Sequence, residues 1–181
     1  MRSSSNLITK SLILADKIRD VIWMMQKCLK NENKIIVFGN GGSAADSQHF
    51  SAELIGRFKQ QRKSLPCIAL TTDTSSLTAI GNDYGFRFVF SRQCESIVSR
   101  GDVVLAISTS GNSSNVIEAV RVSKARGAKI ISLTGNNGGK LKRESDICLI
   151  VPSKDTANIQ EVHRIILHII AKEIEKPYKS K

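Results

Sequence analysis

The chain has 181 residues, 41% of them hydrophobic, which suits one domain that buries its core without disulfide or metal staples. Its formal charge of +11 favours anionic partners, but its basic residues cluster only at Arg57, Lys59, Arg62 and Lys63, and the single aromatic among them, Phe58, is no interleaved series for stacking bases, which argues against nucleic acid. No run reaches the roughly 18 apolar residues of a membrane span; the first ten residues lack an apolar leader, and scattered Cys28, Cys67, Cys94 and Cys148 read as reduced thiols, so a cytoplasmic protein is expected.

In chain order, Leu7, Ile8, Leu14, Ile18, Val21, Ile22, Met25 and Leu29 recur at spacings of three and four, which predicts an amphipathic helix over about residues 6–31. Lys34 to Phe38 is a short β-branched run ending at Gly39, the pattern of a buried parallel strand. Similar runs follow at Cys67 to Leu70, Val103 to Ile107, Lys129 to Leu133 and Ile147 to Val151, and most lead into polar, glycine-bearing loops. Helical patterns separate them, and a last helix over about 158–175 carries Ile159, Val162, Ile165, Ile166, Ile169 and Ile170 on its apolar side. The alternation predicts βαβ units with right-handed crossovers, hence a three-layer α-β-α sandwich around a parallel five-stranded sheet. With no proline-rich linker or low-complexity tract, residues 1–181 are read as one domain whose α/β core spans about 34–152. The tail from Lys176 to Lys181 is read as solvated.

Two loops carry the anion chemistry. Gly39-Asn40-Gly41-Gly42-Ser43-Ala44 lies between a strand and a helix, so backbone N–H groups and a positive helix terminus converge there. The same string fits the dinucleotide fingerprint, but the acid required about 20 residues later is missing, the next one being Asp73. Ser108-Thr109-Ser110-Gly111-Asn112-Ser113-Ser114 also lies between strand and helix and offers five hydroxyls beside a glycine. Such donors suit a terminal sugar phosphate better than a nucleoside triphosphate, and the Walker pattern is absent. Ordinary turns with serine N-caps are the competing explanation.

His49 and Glu53 stand four apart in the helix after the first loop and share a face, where they suit metal ligation or proton transfer. On the last helix Gln160 and His168 lie about 80° apart around the axis, whereas His163 is about 140° from His168 and is read as structural. Gln160 and His168 are also about 12 Å apart along the axis, so their side chains must converge to share one ligand.

Several strings are similar to a known family: Asn40 to Leu54, Gly81-Asn-Asp-Tyr-Gly-Phe, Ser108-Thr-Ser-Gly-Asn-Ser, Leu133-Thr-Gly and Ile159-Gln-Glu-Val-His. They resemble the sugar isomerase (SIS) domain family, a flavodoxin-like fold, and within it the phosphoheptose (sedoheptulose 7-phosphate) isomerases. The resemblance implies an aldose–ketose isomerase at the first step of nucleotide-activated heptose synthesis, for lipopolysaccharide or capsule. It implies that Glu53 and His168 are the acid–base pair, and that Asn40, Gly41, Gly42, Glu53, Asn82, Asp83, Ser108, Thr109, Ser110, Ser113 and Gln160 bind substrate. Zinc bound by His49, Glu53, Gln160 and His168 is implied as well, as is a homotetramer in which the N-terminal helix packs and active sites lie between subunits. Where some members carry Asp-Arg, this chain has Ala157 and Asn158, which are given no role. Two alternatives follow from the same likeness: a non-catalytic relative that binds the replication initiator, which lacks the acid and terminal histidine present here, and an isomerase of another sugar phosphate.

Overall fold

The computed structural model describes residues 2–179, with side chains from Ser5 onward. Five strands, β1 (Ile35–Gly39), β2 (Cys67–Ala69), β3 (Val103–Ser108), β4 (Lys129–Thr134) and β5 (Ile147–Ile150), form a sheet in the order β2-β1-β3-β4-β5 with every pairing parallel. Helices cover both faces, as the alternating pattern predicts. Along β1, Ile35 and Val37 enter one core and Ile36 and Phe38 the other; β3 splits the same way, with Val103, Leu105 and Ile107 opposite Val104 and Ala106. Successive side chains on a strand point to opposite faces, so a strand buried on both reads as an unbroken apolar run.

The first core lies under α1 (Arg2–Lys10), α2 (Ala15–Lys30), α3 (Gly42–Ile55) and α8 (Thr156–Glu175). The second lies under α5 (Ser91–Ile97), α6 (Ser114–Ala125) and the short α7 (Leu141–Glu144), with Leu77 and Ile80 of α4 (Thr74–Asp83) against its edge. Because β1 and β3 are neighbours and their following helices α3 and α6 leave to opposite faces, a crevice opens between the two strand ends. Both anion loops border it.

Three local expectations change. The N-terminal helix is interrupted by a 3-10 turn at Ser11–Leu14, where buried Ser11 donates its hydroxyl to the Leu7 carbonyl (2.8 Å), a backbone competition that bends helices. The last helix begins at Thr156, because the Asp155 carboxylate caps it by accepting from Asn158 N–H (2.8 Å). The tail read as solvated is in part engaged: Lys179 pairs in an isolated antiparallel bridge with Arg62, whose side chain is fully buried. All four cysteines are free and buried, and burial raises the Cys67 thiol to about 12.

Candidate active site

The loop after β1 turns at Gly41, whose φ of 54° lies in the left-handed region that only glycine adopts cheaply, and α3 starts at the next residue. At Gly42 a side chain is excluded for a different reason. A Cβ there would stand 2.5 Å from Nε2 of Gln160, so the Gln160 amide lies directly on the glycine backbone. A cleft of about 240 Å³ results, bordered by Asn40, Gly41 and Gly42 on one side, Ser108, Thr109 and Ser113 on the other, and Gln160 with Thr156 from α8. Ser108 and Ser113 hydroxyls are 2.9 Å apart, a pair of donors that can rotate onto a shared anion.

One turn and more along α3, its exposed face meets α8 again. His49 Nε2 is 3.0 Å from His168 Nε2, one imidazole donating to the other, and 3.3 Å from Glu53 Oε1. The two rings meet edge to face at 5.2 Å. Ligand atoms of His49, Glu53 and His168 all lie within 4.8 Å of one another, which makes the trio able to hold a metal ion. Two imidazoles and a carboxylate are a donor set of the kind catalytic zinc uses. Gln160 and His168 border a second cleft of about 480 Å³ with Arg164, so Gln160 faces both the hydroxyl-lined cleft and the cleft beside His168.

Comparison with known proteins bears on this pairing of a hydroxyl-lined cleft and a histidine–glutamate cluster. The SIS domain family model matches residues 2–135. The chain belongs to the SIS domain family. Within it, the chain is similar to the phosphoheptose isomerase of Aliarcobacter butzleri, at 59% identity over 147 residues, covering 81% of this chain and 78% of that protein. The solved phosphoheptose isomerase of Neisseria gonorrhoeae superposes with a TM-score of 0.92 at 46% identity, covering 96% of this chain and 94% of that one. That of Francisella tularensis gives 0.94 at 38% identity, covering 97% and 94%.

This SIS domain does not gather every residue expected at its site. The Ser110 hydroxyl lies 3.5 Å from that of Ser108, within the serine loop, while it also accepts from Asn112 N–H (3.1 Å) and the residue borders a separate cleft with Asn136 and Lys154. Asn82 and Asp83 end α4 exposed, bonded to each other (2.8 Å), and border none of the clefts described above. His163 is fully buried against the Thr134 carbonyl (3.1 Å); desolvation lowers its pKa to about 4, so it is neutral and structural. Sequence reasoning missed Asn115, whose buried amide exchanges two hydrogen bonds of 2.9 Å with Asn40 and so ties the two loops together. Its place in the first turn after the serine loop was the available signal. It also missed Phe58, whose ring stacks on His168 at 5.4 Å.

Proposed function

We propose that the chain converts sedoheptulose 7-phosphate to the manno-heptose 7-phosphate, an aldose–ketose isomerisation through an enediolate. The observation that carries this reading is that Gln160 borders two clefts, one lined by hydroxyls and backbone of the anion loops and suited to phosphate, the other bordered by His168, the α8 member of the histidine–glutamate cluster. In the proposed complex Ser108, Thr109, Ser110 and Ser113 hold the phosphate, while Asn40, Gly41, Gly42 and Gln160 line the sugar. The reaction moves one proton from C1 to C2 and another from O1 to O2. Glu53 and His168 are proposed as the two groups that carry them, each within reach of a substrate that lies along α3 and α8. The Glu53 side chain is only 17% exposed, so little water competes for its proton.

His49, Glu53 and His168 would hold zinc, with Gln160 as the further donor at the border of the same cleft. When bound, the ion polarises the substrate oxygens and stabilises the negative charge that develops on them. Asn82 and Asp83 are assigned to a substrate site completed by a neighbouring subunit, within a homotetramer. The apolar groove between α1, α2 and α8, lined by Ile8, Leu12, Ile18, Ile165 and Ile169, supports such an assembly. Among the described residues no helix is long and apolar enough to cross a membrane. Because sugar phosphates do not cross bilayers, the reaction is placed in the cytoplasm that makes them.

Purified protein incubated with sedoheptulose 7-phosphate is expected to form the aldose. Glu53→Gln and His168→Gln are each expected to lower kcat by about 100-fold or more. Absence of turnover by the unaltered protein would overturn the reading, and a variant that keeps near-normal kcat would remove that residue from the proton transfers.

A further inference from the structure

An imidazole turns about a torsion with broad, shallow preferences, so its plane has to be set by neighbours. In metal sites the usual device is a hydrogen bond from the second ring nitrogen to a carboxylate or carbonyl. Among the described residues the only hydrogen-bonding partner of the His168 ring is His49, through Nε2. What lies against the face of His168 is instead the ring of Phe58, near-parallel at 14° with centroids 5.4 Å apart. Offset stacking of this kind is favourable and holds two planes together.

Phe58 sits in the irregular segment between α3 and β2, which by itself would leave the ring free to wander. The segment is pinned by Glu175, a fully buried carboxylate two turns beyond His168 on α8, which accepts from Lys59 N–H (2.8 Å) and Phe58 N–H (3.3 Å). Arg62, also buried, stands with Nε 3.4 Å from the same carboxylate, an ion pair without hydrogen-bond geometry. Its terminal nitrogens donate to the carbonyls of Glu53 (2.7 Å), Leu54 (2.8 Å), Gly56 (3.3 Å) and Lys63 (2.9 Å). These include carbonyls at the end of α3 that helix geometry leaves without partners. The Arg62–Glu175 pair thus joins the end of the helix carrying Glu53 to the helix carrying His168, and fixes Phe58 between them.

We propose that Phe58 is a positioning residue for His168: its stacked ring, anchored by Arg62 and Glu175, sets the imidazole plane that directs Nε2 toward His49 and Glu53. The proposal rests on the isomerase reading for its activity arm and on the histidine–glutamate cluster for its metal arm. Phe58→Leu and Phe58→Tyr are compared with the unaltered protein for kcat and KM on sedoheptulose 7-phosphate, and for zinc affinity by competition with a chromophoric chelator. Loss of a ligand-orienting neighbour costs about 10- to 100-fold in affinity or activity. Phe58→Leu is therefore expected to lower kcat or zinc affinity at least tenfold with KM within about twofold, whereas Phe58→Tyr, which keeps a planar ring, stays near wild type. Both quantities unchanged in Phe58→Leu, or an equal loss in Phe58→Tyr, would overturn the proposal. If the unaltered protein binds zinc without turning over this substrate, the isomerase reading fails and the zinc arm alone decides Phe58. If it does neither, both fall.

Discussion

Gly42→Ala separates folding from function at one position. The added methyl would stand 2.5 Å from Gln160 Nε2, 2.9 Å from its Cδ and 3.1 Å from its Oε1, and ordinary contact begins near 3.4 Å, so the amide must retreat by about 0.9 Å. What it meets is the end of a flexible side chain, and Gly42 lies in the first turn of α3 without a positive φ. The fold should therefore absorb the methyl, and alanine in a helix gains up to about 1 kcal/mol over glycine. A hydrogen bond from Gln160 to the bound sugar phosphate, lengthened by that much, is lost. At about 1–3 kcal/mol for a buried polar group of the sugar left without its partner, kcat/KM falls about 5- to 100-fold while the thermal midpoint holds or rises by a few degrees. Steady-state kinetics and a thermal melt measure the two effects. Because the loss acts through Gln160, Gly42→Ala should add little in a Gln160→Ala background. A kcat/KM within twofold of wild type, or a midpoint lowered by more than about 5 °C, would refute the reasoning.

Two further outcomes follow from buried charge and buried imidazole. Glu175→Gln leaves the Arg62 guanidinium uncompensated inside the protein, and urea unfolding should show a loss of about 3–5 kcal/mol, with Arg62→Met in the same range. His163 has a folded pKa near 4, below the usual 6.5, so the unfolded chain binds its proton first. Its contribution is present above about pH 6.5 and is lost as the pH falls toward 4. Between pH 7 and pH 5 the loss is about 2 kcal/mol by urea unfolding. Asp46 and Arg164, paired at 2.9 Å, are the nearby charges, and of the two Asp46 opposes the shift. His163→Gln should flatten that part of the profile.

The sheet was legible because Ile35, Ile36, Val37 and Phe38 are all buried, and burial on both faces removes every polar position from a strand. The 3-10 turn at Ser11–Leu14 was not, since three- and four-residue spacings cannot tell one helical winding from the other. Of the candidate site, the anion loops and the His49–Glu53 spacing can be read locally, whereas the meeting of His49 with His168 spans 119 positions and depends on how α3 packs on α8. The same distance hid Arg62: in sequence it is one of several basic residues in a loop, and only the fold brings Glu175 to it, 113 positions further along.

The amide pair between Asn40 and Asn115 has a consequence for selectivity. With the loops after β1 and β3 bolted to one another by two hydrogen bonds, the phosphate seat does not have to assemble around its guest, and little ordering entropy is spent there. A fixed seat turns the span from the serine hydroxyls to Glu53 and His168 into a ruler. Sugars that share the phosphate but differ in carbon count would all dock, and only the one of matching length would bring its carbonyl to the proton-transfer groups. Discrimination among such sugars would then appear in kcat, with KM nearly common to them all.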